Sequence, residues 1–70
     1  MMPLTFAKVG EEVQVLKVNG QDETRHFLEK LGFVQGARVQ VISEISGNLI
    51  VNVKETRVAI DRKMAGRIMV

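Results

Sequence analysis

The sequence predicts an all-β fold, a single small barrel or strongly bent sheet of about five short strands with one short α-helix after the first strand. Several segments alternate apolar with polar residues, and turn-forming Asn, Gly or Ser residues separate them. Only residues 22–31 carry apolar side chains at helical spacing. A chain of 70 residues suffices for one domain, so we assign residues 1–70 to a single unit.

The first strand is predicted over residues 12–18, and the helix follows it. Both faces of this strand carry apolar residues, Val13 and Val15 on one side and Leu16 and Val18 on the other. Asn19-Gly20 predicts a turn after it. Asp22 is a suitable helix N-cap, and Gly32 is suited to the left-handed conformation that ends many helices. We expect the apolar helix face to pack on the sheet, through Phe27, Leu28 and Leu31.

The remaining strands are predicted between short turns. One runs from about residue 38 to Ile45, and Ser46-Gly47-Asn48 forms a hairpin loop before the next strand, residues 49–53. A turn at residues 54–56 precedes a short strand, Asp61 caps one helical turn, and residues 68–70 form the last strand. The alternation predicts a core of twelve mostly buried residues: Val13, Val15, Leu28, Leu31, Phe33, Val39, Val41, Val51, Val53, Val58, Ile60 and Ile68.

The composition narrows the class of protein. The chain contains no cysteine, so neither a disulfide framework nor a thiolate metal site is available, and a reducing cytoplasm is the expected location. No run approaches the roughly 18 apolar residues that cross a bilayer, and the first residues lack the pattern of a secretory signal.

The sequence contains few residues arranged in a way that could support catalysis. The two serines lie in or next to a hairpin turn, and the one histidine lies on the predicted helix without a nucleophile beside it. Neither common Gly-rich phosphate-binding pattern is present. We therefore predict a protein that is not an enzyme and holds no cofactor.

One polar helix face could supply metal ligands. Asp22, His26 and Glu29 follow at spacings of four and three, which places them on one side of a helix. They could offer one nitrogen and two carboxylate oxygens to a divalent ion. A solvated polar face opposite the apolar helix residues explains the same pattern, so we expect weak metal binding at most.

The charge is concentrated at the C-terminal end. Residues 1–53 carry five bases and six acids, whereas residues 54–70 carry five bases and two acids. We expect Arg57, Arg62, Lys63 and Arg67 to point outward near one another and to bind a partner, because arginine recognises carboxylates through two parallel hydrogen bonds. The same residues could bind phosphates, so a small nucleic-acid-binding barrel is an alternative, although the chain has only three aromatic residues for stacking.

From Leu28 onward the sequence resembles the FeoA family. The pieces that carry the resemblance are Leu28 with Leu31-Gly32-Phe33, then Gly36, Val39 and Val41, then Gly47, Val51 and Val53, then Arg57-Val58-Ala59-Ile60 with Arg62, and finally Ala65, Ile68 and Val70. The family often has Pro before the second of these glycines, where this chain has Gln35. It also often has a Gly-Asp-Pro hairpin, where this chain has Gly47-Asn48-Leu49.

This resemblance implies an SH3-like barrel and a cytoplasmic accessory role in ferrous iron uptake. The implied partner is FeoB, a membrane transporter with a GTP-binding domain, and the hairpin at Gly47 and Asn48 is a second candidate contact. The resemblance also implies transition-metal binding, although this sequence offers no convincing ligand set. The same domain type occurs at the C-terminus of metal-dependent repressors, so a free-standing relative of that domain is a further alternative.

Overall fold

The computed structural model describes residues 1–70, which form six short strands, two helices and one 3-10 turn. In chain order the elements are a 3-10 turn (Leu4–Phe6), β1 (Glu12–Gln14), β2 (Lys17–Val18), α1 (Glu23–Leu31), β3 (Arg38–Ile45), β4 (Asn48–Val53), β5 (Thr56–Asp61), α2 (Arg62–Ala65) and β6 (Ile68–Met69). All strand pairs are antiparallel. None of the helices is long and apolar enough to cross a membrane.

The strands form two sheets. One has the order β1-β3-β4-β5, and the other pairs β2 with β6. Pro3 adds an isolated bridge to Met69, which brings the two ends of the chain together. No ladder joins β5 to β1, so the barrel is not closed by hydrogen bonds and β5 lies at an open edge. The predicted small barrel is therefore open at this strand.

The single strand predicted over residues 12–18 is divided into β1 and β2. The Val15 N–H donates to the Ala37 carbonyl at 2.8 Å, whereas the Leu16 N–H donates to the Met69 carbonyl at 2.7 Å. Consecutive residues therefore pair with different strands, and the chain passes from one sheet to the other between them. This change of partner gives six strands where five were predicted.

Helix α1 begins and ends where the sequence predicts. The Asp22 carboxylate accepts a hydrogen bond from the Arg25 N–H at 3.3 Å, and Gly32 has a φ of 114°. The Gly32 and Phe33 N–H groups satisfy carbonyls of the last helical turn. These caps matter because a nine-residue helix is too short to be stable without packing and capping.

The two hairpin turns also lie where the sequence predicts them. Ser46 and Gly47 join β3 to β4, and Lys54 and Glu55 join β4 to β5, with positive φ at all four residues. Positive φ at both central positions matches the right-handed twist of the strands. A register shift between Val41 and Ser43 bends β3, as a β-bulge does.

The core confirms most of the predicted burial. Nine of the twelve predicted residues are buried, and Val13, Leu31 and Val58 are half-buried at its rim. Three further residues complete it: Leu4 from the 3-10 turn, Leu49 from β4 and Ala65 from α2. The prediction for Phe27 is wrong, because 48% of its surface is exposed. The fully buried residue of α1 is its neighbour Leu28, which the sequence also predicts to be buried.

Candidate protein-interaction surface

Two predicted contact regions meet at one end of the molecule. Asn48, the first residue of β4, is paired in register with Asp61, the last residue of β5. The exposed hairpin at Gly47 and Asn48 therefore lies beside the start of α2, which carries Arg62 and Lys63. We call these four residues the hairpin–α2 end. The sequence contains both regions but gives no indication that they are neighbours.

Capping holds α2 in this position. The Asp61 Oδ1 accepts a hydrogen bond from the Met64 N–H at 2.7 Å, so the first helical turn starts directly at the end of β5. Arg62 then reaches across to β3, where its Nη1 lies 3.1 Å from Glu44 Oε2. Both side chains are about half exposed, with relative areas of 51%. Lys63 is exposed and forms no ion pair within 4.0 Å.

Arg57 does not join this group. It lies four residues before Asp61 in β5, which corresponds to roughly 13 Å along an extended strand. Its Nε donates to the Asn52 amide oxygen across the hairpin at 3.4 Å. The four basic residues thus do not form the single cluster that the sequence predicts.

Arg67 faces α1 rather than solvent. Its Nη1 lies 2.7 Å from Asp22 Oδ1, and only 29% of its side chain is exposed. Its guanidinium covers Gly20, where an added Cβ would lie 2.7 Å from Nη1. Arg67 and Lys63 also line one pocket of about 140 Å³. The ion pair joins residues 45 apart in sequence, so Arg67 connects the start of α1 to the chain before β6.

The polar face of α1 is already engaged by neighbouring groups. The Asp22 Oδ1 accepts hydrogen bonds from the Arg67 guanidinium and from the Arg25 N–H. Glu29 Oε2 lies 3.5 Å from Arg25 Nε, and Glu29 Oε1 lies 3.7 Å from His26 Nδ1. No three His, Asp or Glu side chains are grouped closely enough to hold a metal ion. The carboxylates considered as ligands instead cap the helix and pair with arginines.

Hydrogen bonding lowers the pKa of Asp22. The largest cause is the hydrogen bond from Arg67, and the Arg25 N–H adds to it, while partial desolvation acts in the opposite direction. A carboxyl whose pKa is lower in the folded state stabilises the fold above its unfolded value, about 3.9, and loses that contribution as the pH falls through the folded value.

We expect Arg67→Gln to lower the midpoint of urea unfolding at pH 7. This effect should begin to shrink below about pH 4, where Asp22 of the unfolded chain becomes protonated, and should vanish as the pH falls through the lowered pKa of the folded state. Midpoints measured between pH 2 and 8 test this expectation. Arg38→Gln is the matched control, because Arg38 pairs with Glu12 at 3.1 Å but remains 76% exposed. A difference between Arg67→Gln and the parent protein that stays constant across this range would contradict a role for the Asp22 pair.

Comparison with known proteins identifies the family. The FeoA domain model matches residues 2–70. A curated protein of Methanocaldococcus jannaschii, whose name refers to Fe(2+) transport, is 39% identical over all 70 residues and 85% of its own length. This chain belongs to the FeoA family. The expected family is therefore confirmed over almost the whole chain, including residues before Leu28 where no resemblance was identified.

Solved structures confirm the expected SH3-like fold. The Stenotrophomonas maltophilia FeoA, crystallised with zinc and described as an SH3 domain protein, has a TM-score of 0.87 at 27% identity and covers 99% of this chain and 88% of its own. A manganese-dependent transcriptional repressor has a TM-score of 0.83 at 19% identity, with 94% of this chain and 38% of its own covered. The repressor shows the fold alone. The FeoA fold thus also occurs as part of a larger protein.

Proposed function

We propose that this protein is a cytoplasmic, non-enzymatic accessory protein of ferrous iron uptake that binds the GTP-binding part of a FeoB-like membrane transporter. The observation that carries the proposal is the FeoA family match over residues 2–70. The relative named for Fe(2+) transport supports the same role. The domain acts as an interaction module, and the residues proposed to contribute to partner binding are Arg57, Arg62, Lys63, Arg67, Gly47 and Asn48.

Arg57 and the hairpin–α2 end are the most accessible of these candidates. Arg57 is the one arginine among five that has no carboxylate within 4.0 Å, so its guanidinium is free for an acidic group on a partner. Arg62 is paired, but an exposed ion pair contributes only about 0–1 kcal/mol. A partner carboxylate can therefore replace Glu44. Arg67 contributes indirectly, by holding the loop before α1.

Nucleic acid is the alternative partner, and the family match favours a protein over it. Four of the five arginines already face carboxylates of this chain. A phosphate-binding surface depends on cations that can neutralise the nucleic-acid backbone, and such binding weakens steeply with salt. A salt titration with generic DNA and RNA separates the two possibilities.

The double substitution Arg57→Glu with Arg62→Glu is expected to weaken transporter binding at least tenfold, about 1.4 kcal/mol. Arg57→Glu alone should account for most of the loss, because Arg62 must first leave Glu44. Calorimetry with the transporter's soluble domain measures the affinity. Arg38→Glu is the control, since it reverses the charge of an exposed, paired arginine on β3 and should leave the affinity unchanged.

Two results would contradict this assignment. Unchanged affinity in a folded double mutant would place the interface away from these arginines. Substitutions of Gly47 and Asn48 would then test the hairpin as the second candidate contact. No binding by the unmodified protein to any part of the transporter argues against the proposed partner itself.

A further inference from the structure

Strand β5 forms the longest open edge of the molecule. It pairs with β4 at all six positions without a register shift, and it has no partner on its other side. The opposite edge of the same sheet, β1, is only three residues long, and β2 and β6 have two residues each. An edge of this length presents unpaired backbone groups that can pair with another strand.

The backbone of β5 directs specific groups toward this edge. The two-residue turn at Lys54-Glu55 makes Val53 and Thr56 a hydrogen-bonded pair, and such pairs alternate along an antiparallel ladder. The N–H and C=O groups of Arg57 and Ala59 therefore point away from β4. Neither residue takes part in a backbone hydrogen bond outside the regular elements, and both are exposed.

No proline, bulge or lysine in the strand blocks the approach of another chain. Proteins protect open edges with proline, bulges, lysine or very short strands. The segment Thr56–Asp61 contains no proline, glycine or lysine, and its ladder has no bulge. Ala59 lies at its centre with a small side chain, and the outward side chains two positions away have opposite charges: Arg57 before it and Asp61 after it.

We propose that two copies of this chain associate through antiparallel pairing of their β5 strands, with Ala59 opposite Ala59 of the second copy. In this register Arg57 lies opposite Asp61 of the second copy, and the symmetry repeats this pair. The residues brought opposite each other are those whose backbone groups face the open edge. The result is a closed two-fold dimer with a continuous sheet of eight strands.

Charge complementarity selects a second copy over other extended chains. A uniformly acidic strand would attract Arg57 but face Asp61, and a basic strand would have the reverse mismatch. An antiparallel copy of β5 presents the opposite charge at both positions. The inference does not rest on the proposed function. Because both associations use Arg57, transporter binding and dimer formation should compete.

The decisive variant is Ala59→Pro, which removes an outward N–H without breaking a hydrogen bond to β4. Sedimentation equilibrium up to about 1 mM, a range that detects weak association, should show dimers for the unmodified protein and monomers for this variant. Amide exchange at Arg57 and Ala59 should slow as the concentration of the unmodified protein rises. A protein that remains monomeric throughout this range, or a dimer that survives Ala59→Pro, overturns the proposal.

Charge reversal tests the register. Arg57→Asp places an aspartate opposite Asp61 of the second copy, and Asp61→Lys places a lysine opposite Arg57, so each variant alone should dimerise at least tenfold more weakly. Mixing the two variants should restore association, because every cross-strand pair then has opposite charges. Mixtures that associate no better than either variant alone overturn this register. Asp61→Lys also removes the cap of α2, so if it fails to fold, Ala59→Pro and Arg57→Asp still decide the outcome.

Discussion

Replacing Phe33 with alanine is expected to lower the free energy of unfolding by about 3–5 kcal/mol. Phe33 is the largest fully buried side chain, with no exposed surface, and it lies between the end of α1 and the start of β3. A 70-residue domain has a total stability of roughly 4–10 kcal/mol, so this single cavity removes a large share of it. Urea unfolding followed by circular dichroism measures the change.

Phe27→Ala provides a matched control for this prediction. It deletes the same side chain from the same part of the chain, but Phe27 is 48% exposed. Its loss should therefore cost much less than that of Phe33. Equal losses for the two variants would contradict the burial that distinguishes these phenylalanines.

Replacing Gly32 with alanine is expected to cost about 1–3 kcal/mol from backbone conformation alone, because φ is 114° at this helix end. The new Cβ would also lie 3.0 Å from Lys54 Cδ and 3.2 Å from Val53 Cγ2. The valine is buried in the core and has little room to move, so the total loss should exceed the backbone contribution. The same urea experiment applies.

Gly36→Ala separates these two contributions. Gly36 also has a positive φ, 88°, but an added Cβ would meet no atom within 4 Å. This variant should therefore show conformational strain without crowding. If Gly32→Ala proves no more destabilising than Gly36→Ala, the contact with the β4–β5 hairpin has no energetic consequence.

The arginine pairs affect the proposed function in different ways. Arg67 and Asp22 join the chain before β6 to the cap of the inserted helix, and their short contact is partly shielded. Arg62 and Glu44 form an exposed pair on the hairpin–α2 end. We therefore expect substitutions at Arg67 to lower mainly the stability of the fold. Substitutions at Arg57 or Arg62 should instead weaken mainly the binding of the proposed transporter partner. This contrast would distinguish a structural role for Arg67 from the proposed recognition role of Arg57 and Arg62.

Local sequence signals were sufficient to predict the elements and most of the core. Alternating valines predicted β3 and β4, Asp22 and Gly32 predicted the limits of α1, and Ser46-Gly47 predicted a hairpin. These signals are reliable because capping, turn conformation and strand alternation depend on residues a few positions apart. The resemblance carried by the spaced glycines and valines from Leu28 onward also predicted the family and its SH3-like fold.

Only the tertiary structure decided which residues meet across long separations in the chain. The change of partner between Val15 and Leu16 depends on β3 and β6, and the burial of Leu4 depends on the folded core. Arg67 belongs to the same basic segment as Arg57 but packs against Asp22. The open edge of β5 likewise depends on where every other strand pairs. A local pattern assigns a side chain to one face of its element, whereas its neighbours on that face come from distant segments that only folding brings together.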